Sequence, residues 1–156
     1  MLDTSDAPAS LFQREGLAAM LARIDRLRHD AKPQWGKMSL PQMLAHCQQP
    51  LRVAAGELQL KRSLFGILFG RIAKWKMLAP GRMKKNLPTA PEFKIEKTRD
   101  IATEKSALQD LVRRFGQGGP AGLTQKPHPF FGPLLATEWD TLQWKHLDHH
   151  LRQFGA

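Results

Sequence analysis

Apolar positions recur at near-helical spacing over most of this chain, and no stretch shows a sustained two-residue alternation. Leu11, Leu17, Met20, Leu21, Ile24 and Leu27 predict a helix over Ser10–His29, which no proline interrupts. Asp30 to Met38 reads as a connector. A second helix is expected to open at Ser39, where Ser-Leu-Pro-Gln has the form of a capping box and tolerates proline in its first turn. It is expected to run to about Glu57, with Pro50 bending it. Ser63 to Leu78 predicts a short apolar, basic-edged helix weakened by Gly66 and Gly70, followed by loop from Pro80 to Pro91 and an extended or irregular stretch over Phe93–Lys97. Thr98 to Phe115 predicts a third long helix, ended by Gly-Gln-Gly-Gly-Pro at 116–120. After a Pro- and Gly-rich loop through Pro133, a last helix is expected to open at Thr137, with Asp140 three residues on, and to run nearly to the C-terminus.

Four long helices, one short one and no strand read as an all-α bundle. The 156 residues suit a single domain spanning 1–156, with residues 1–9 expected to be flexible. With 42% of positions apolar and a mean hydropathy of −0.41, the chain suits a packed soluble core rather than a disordered one. A lone cysteine, Cys47, excludes an internal disulfide framework. The N-terminus is acidic and lacks the pattern of a signal peptide. The longest apolar run, Leu64–Gly70, has seven residues where a membrane span needs about 20. A cytoplasmic location is the expectation.

Charge adds a complication. There are 24 Lys and Arg against 14 Asp and Glu, giving +10 and a pI near 10.3. Residues 61–105 hold twelve of the basic residues against Glu92, Glu96, Asp100 and Glu104, so +8 of the +10 belongs to one region. A basic face attracts phosphates, an anionic membrane or an anionic small molecule. No nucleic-acid-binding signature accompanies it and the chain has no tyrosine to stack on bases, so nucleic acid is not favoured. A solvated basic face that steers a small anionic substrate fits better.

The candidate chemistry lies in the histidines. Three of the six crowd into Lys-His-Leu-Asp-His-His-Leu-Arg-Gln at 145–153. Imidazoles at i and i+4 share a helix face and can share a metal ion, which here selects His146 and His150. On a helical wheel Trp139, Leu142, Leu147, Leu151 and Phe154 form an apolar arc, with His150 inside it and His146 on its flank. His149 falls toward Lys145, Asp148 and Arg152 and is expected to face solvent. Gln153 lies one turn beyond the pair, where its amide could hold a ligand imidazole or a metal-bound water. A third ligand should come from another helix, and His46, at the edge of the apolar face of the second helix, is the candidate.

The other chemically active side chains have plainer readings. Cys47 reads as a small buried thiol, and His29 as a cation complementing a helix C-terminus. His128, between two prolines, is a candidate to be held over a pocket.

His-Pro-Phe-Phe-Gly-Pro at 128–133, Glu-Trp at 138–139 and the 145–155 segment resemble a bacterial family of unknown function within the DinB/YfiT-like superfamily of metalloenzymes. Trp-Gly-Lys-Met at 35–38, Met-Leu-Ala-His at 43–46 and Asn-Leu-Pro-Thr-Ala-Pro-Glu-Phe at 86–93 look like the same family's other signatures. The resemblance covers roughly residues 20–155. It implies an up-down-down-up four-helix bundle with an extra short helix in the long middle connection. It further implies a metal, zinc or nickel, held by His46, His146 and His150, the trio the wheels select, and adds Trp35 to the candidate pocket beside His128. Characterised members of the superfamily include thiol-dependent transferases and isomerases that work with mycothiol or bacillithiol, so a low-molecular-weight thiol is the implied co-substrate. Common relatives read His-Arg-Gly-Gln where this chain has His-Leu-Arg-Gln at 150–153, keeping the glutamine and not the glycine. Relatives often pair through helix faces, which makes Leu64–Phe69 a candidate homodimer surface.

The leading expectation is a metal-dependent enzyme, transferase or hydrolase, activating a water or a small thiol. No general base is identifiable beside the trio, which favours thiol transfer over hydrolysis. One alternative is a non-catalytic module binding nucleic acid or an anionic membrane through residues 61–105. Another is a polar core network in which the histidines bind nothing.

Overall fold

The computed structural model describes residues 9–156, so the flexibility expected of 1–9 falls almost wholly outside it. Among the described residues the chain is all-helical, with five α-helices and no strand: α1 Arg14–Asp25, α2 Leu40–Ala54, α3 Leu64–Leu78, α4 Ile101–Gly118 and α5 Ala136–Gln153. Single 3-10 turns sit at Pro91–Phe93 and Gly119–Gly122. Helices α1, α2, α4 and α5 pack on one another, and α3 rests on α5. The common core contains Met20, Ile24, Met43, Leu44, Leu51, Leu108, Val112, Leu147 and Leu151, all essentially inaccessible to solvent. Each such side chain contributes on the order of 1.5–3 kcal/mol of burial free energy.

The boundaries follow from local hydrogen bonding. Ser39 caps α2 as expected: its Oγ accepts from the Gln42 N–H, and the Gln42 Oε1 accepts from the Ser39 N–H at 2.9 Å. The helix stops at Ala54, short of Glu57, because Gly56 turns the backbone left-handed at φ +76°. Helix α4 begins three residues later than expected, since Asp100 is its cap and accepts from the Thr103 N–H at 3.0 Å. Helix α1 begins later than Ser10 because that segment serves another purpose. The Ser10 hydroxyl and the Leu11 N–H both donate to the Asp140 carboxylate, which ties the chain entering α1 to α5. Asp140 therefore does not cap α5. Glu138 does, accepting from the Leu135 N–H at 2.8 Å.

Helix α3 fills almost the whole of the expected Ser63–Leu78 span. It is fifteen residues long, the same as α2, and its glycines are packing positions rather than weak points. Gly66 and Gly70 press against the backbone of Phe130, and a Cβ on Gly66 would lie 2.9 Å from the Phe130 carbonyl oxygen. The side chains that remain point outward: Leu64, Phe65, Ile67, Leu68, Phe69, Ile72 and Trp75 are all exposed. No helix among the described residues is long and apolar enough to cross a membrane.

Candidate metal centre

Helices α2 and α5, packed side by side, bring His46 of one against His146 and His150 of the other. One ligand atom from each of the three lies within 4.8 Å of the others. The His46 and His146 Nε2 atoms are 3.0 Å apart, and the three ring centroids are 4.7–4.9 Å from one another. Donor nitrogens on a tetrahedral ion with metal–nitrogen bonds near 2.0–2.1 Å stand about 3.3 Å apart. Small side-chain adjustments therefore suffice to close this set on an ion.

The surroundings fix the tautomers. The His46 Nδ1 lies 3.0 Å from the Phe93 carbonyl oxygen, and a carbonyl can only accept, so the proton sits on Nδ1. The His150 Nδ1 is likewise 2.8 Å from Gln153 Oε1, while Gln153 Nε2 donates to the Trp35 carbonyl at 2.7 Å. That second bond orients the amide and leaves Oε1 as the acceptor. Both Nε2 atoms therefore carry lone pairs. His146 is different: its Nδ1 is buried with no hydrogen-bond partner among the described residues. The Nε2–Nε2 contact of His46 and His146 is at hydrogen-bonding distance, and with two anchored imidazoles and one orphaned nitrogen the trio is compatible with a metal site.

Burial keeps these rings neutral. It pushes the His150 imidazole down to about 3 and lowers those of His46 and His146, with the mutual repulsion of the rings adding to the effect at His146 and His150. Among the described residues no Asp or Glu joins the cluster. A +2 ion held here would keep its full charge and an open coordination position, the pattern of catalytic rather than structural sites.

The profile of a family described as a protein of unknown function (DUF1569) matches residues 8–156. The chain belongs to DUF1569. Neither the curated proteins nor the solved structures give a match.

On the His149 side of α5 the DUF1569 chain has a cavity of about 340 Å³ lined by Gln34, Trp35, Arg82, Met83, Lys85, Asp148, His149 and Arg152 among others, with none of the trio in its lining. The Trp35 ring forms one wall, with the Lys85 ammonium 4.4 Å from its centroid. His149 is not directed to open solvent as the wheel suggested. It is half-buried in this lining, edge-on to Trp35 at 5.5 Å and 5.0 Å from the His150 ring. Asp148 is committed to ion pairs with Arg23 and Arg152. A second cavity, of about 270 Å³ near Leu51, Leu111 and Phe115, contains no histidine.

His128 has a different task from the pocket role expected of it. It is buried, and its Nδ1 accepts from the Phe130 and Phe131 N–H groups at 3.0 and 3.1 Å, stapling the turn that receives α3. Cys47 is buried against Met43, and burial pushes its thiol up, leaving it inert as expected. His29 is exposed four residues beyond the end of α1, so it does not cap that helix.

Three contributors were not singled out from sequence. The Phe93 and Trp35 carbonyls are backbone acceptors, for which residue type carries no signal. Gln143 carries one: it sits at the centre of the apolar arc of α5, one turn before His146, with both amide atoms buried and unpartnered among the described residues.

Proposed function

We propose that this DUF1569 chain is a metal-dependent enzyme in which His46, His146 and His150 hold a divalent transition metal, zinc or nickel. The observation that carries this reading is the convergence of three neutral imidazoles, two of them locked by Nδ1–H bonds to Phe93 and Gln153. Such an ion lowers the pKa of a bound water toward about 7 or deprotonates a coordinating thiol.

The chain's own residues do the rest. Phe93 and Gln153 hold two rings in the ligating tautomer, and the Gln153–Trp35 bond ties the 35–38 segment to the centre. Arg82 and Lys85 bring positive charge to the neighbouring cavity, which supports an anionic small-molecule substrate. That the cluster has no carboxylate among the described residues favours thiol transfer, since a thiol activated by the metal requires no protein base. An S-transferase or isomerase reaction with a low-molecular-weight thiol is the proposed class, in keeping with the resemblance to the DinB/YfiT-like superfamily. The packing of α1, α2, α4 and α5 supports that superfamily's up-down-down-up bundle.

The test is metal content by elemental analysis of the purified full chain and of His146→Ala, with circular dichroism to check the fold. About one ion per chain in the wild type and its loss in the variant are expected. Stoichiometric metal in the folded variant would overturn the assignment.

A further inference from the structure

Helix α3 is amphipathic in the reverse sense. Gly66, Gly70, Ala73 and Met77 recur at helical spacing on the side that meets the 128–133 turn and α5. Leu64, Leu68, Ile72 and Trp75 recur on the opposite side, with exposures of 80, 72, 58 and 73%, and the Phe65 and Phe69 rings pack beside them, tilted, with centroids 4.7 Å apart. Seven large apolar side chains exposed on one helix form a patch of the kind that marks an interaction site.

The charge around the patch identifies its partner. Between Glu57 and Glu92 the chain has eight cations and no acid. Lys74 is paired with Glu138, while Lys61, Arg62, Arg71, Lys76, Arg82, Lys84 and Lys85 are exposed. Arg71 and Lys76 flank the apolar stripe on the helix itself, and the others lie just before and just after it. A second copy of this face would bring Arg71 and Lys76 of each helix together without an acid on the helix to compensate them, which opposes self-pairing. Phosphates of a nucleic acid would satisfy the cations and leave the apolar stripe in water. An anionic bilayer surface satisfies both: apolar side chains enter the acyl boundary, tryptophan sits at headgroup depth and the cations meet lipid phosphates.

We propose that α3 is a membrane-surface docking helix that lays its Leu64–Leu68–Ile72–Trp75 face into a bilayer rich in anionic phospholipid. This inference is independent of the metal centre.

The test is co-sedimentation of the full chain with phosphatidylcholine vesicles, with and without phosphatidylglycerol, for wild type, Leu68→Glu/Trp75→Glu and Arg71→Glu/Lys76→Glu. All four positions are exposed, so both variants should keep the wild-type circular dichroism and metal content. Binding to the anionic vesicles is expected, salt-sensitive and at least about tenfold weaker in either variant, with little binding to neutral vesicles. Equal binding by the apolar-face variant, or no association with anionic vesicles at low salt, would overturn the proposal. So would a lipid-free dimer that the Leu68→Glu/Trp75→Glu change dissociates, or preferential binding to DNA or RNA that this change leaves intact.

Discussion

Gln153 Oε1 lies 2.8 Å from His150 Nδ1, and the same amide donates to the Trp35 carbonyl at 2.7 Å. One side chain thereby sets the tautomer of a candidate ligand and fastens the 35–38 segment to the end of α5. Removing such an outer partner of a ligating histidine typically costs 10–100-fold in metal affinity. Gln153→Leu is accordingly expected to weaken zinc binding by about 10–100-fold while the three histidines stay in place. Competition against a chromophoric chelator measures this. An unchanged dissociation constant would mean that something other than Gln153 orients His150.

Gln143 makes a second case on the same helix. Its amide is buried with neither atom partnered among the described residues, a condition that costs about 1–3 kcal/mol. Methionine fills nearly the same volume, and such swaps cost under about 1.5 kcal/mol in packing. Gln143→Met is therefore expected to stabilise the metal-free chain by about 1 kcal/mol, read as a higher urea midpoint at unchanged slope. A lower midpoint would show that the amide is satisfied in solution, by water or by a ligand.

Much of this arrangement was legible in the sequence, for identifiable reasons. Ser39 and Gln42 sit at capping-box spacing, and the start of α2 follows from that local chemistry alone. The α5 wheel orients His150 because the apolar arc around it is wide and continuous. Where two segments meet through backbone atoms, sequence had nothing to offer: the acceptors for His46 and Gln153 are the carbonyls of Phe93 and Trp35, which any residue would supply. His149 was misread because the wheel knows only its own helix, whereas Trp35 comes from a distant loop to cover it. On α3, Gly66 and Gly70 read as weak points because residue type alone does not show the Phe130 backbone they pack against.

The inward glycines of α3 give a prediction with a built-in contrast. Alanine in a helix gains about 1 kcal/mol over glycine in intrinsic propensity. At Gly70, however, the added Cβ meets the Phe130 carbonyl, a backbone atom that cannot rotate away, and overpacking of this kind costs about 1–3 kcal/mol or more. The clash outweighs propensity, so Gly70→Ala is expected to destabilise the chain or detach α3, seen as faster hydrogen exchange over 64–78. At Gly118, near the end of α4, nothing lies within 4 Å of the new Cβ, and Gly118→Ala is expected to be neutral or mildly stabilising. Equal effects at the two positions would remove the argument that α3 docks through its glycines.

Glu104 supplies the pH dependence. It is buried where α2 meets α4, its carboxylate accepting from the Arg99 guanidinium at 3.0–3.1 Å, the Arg99 N–H at 3.0 Å and Gln48 Nε2 at 2.7 Å. The side-chain bonds from Arg99 lead in holding the carboxyl down to about 2, against an ordinary value of 4.5. Because the folded value is depressed, the stabilisation is complete above about pH 4.5 and is lost as pH falls toward about 2. Glu104→Gln removes the charge and is expected to cost about 1–3 kcal/mol at neutral pH. That cost should shrink steadily below pH 4.5, because the wild-type chain then loses the same interaction. Urea midpoints for both proteins at pH 7 and pH 3 test this. A gap of equal size at the two pH values would mean that Glu104 acts through packing, and that its charge contributes nothing to joining α2 to α4.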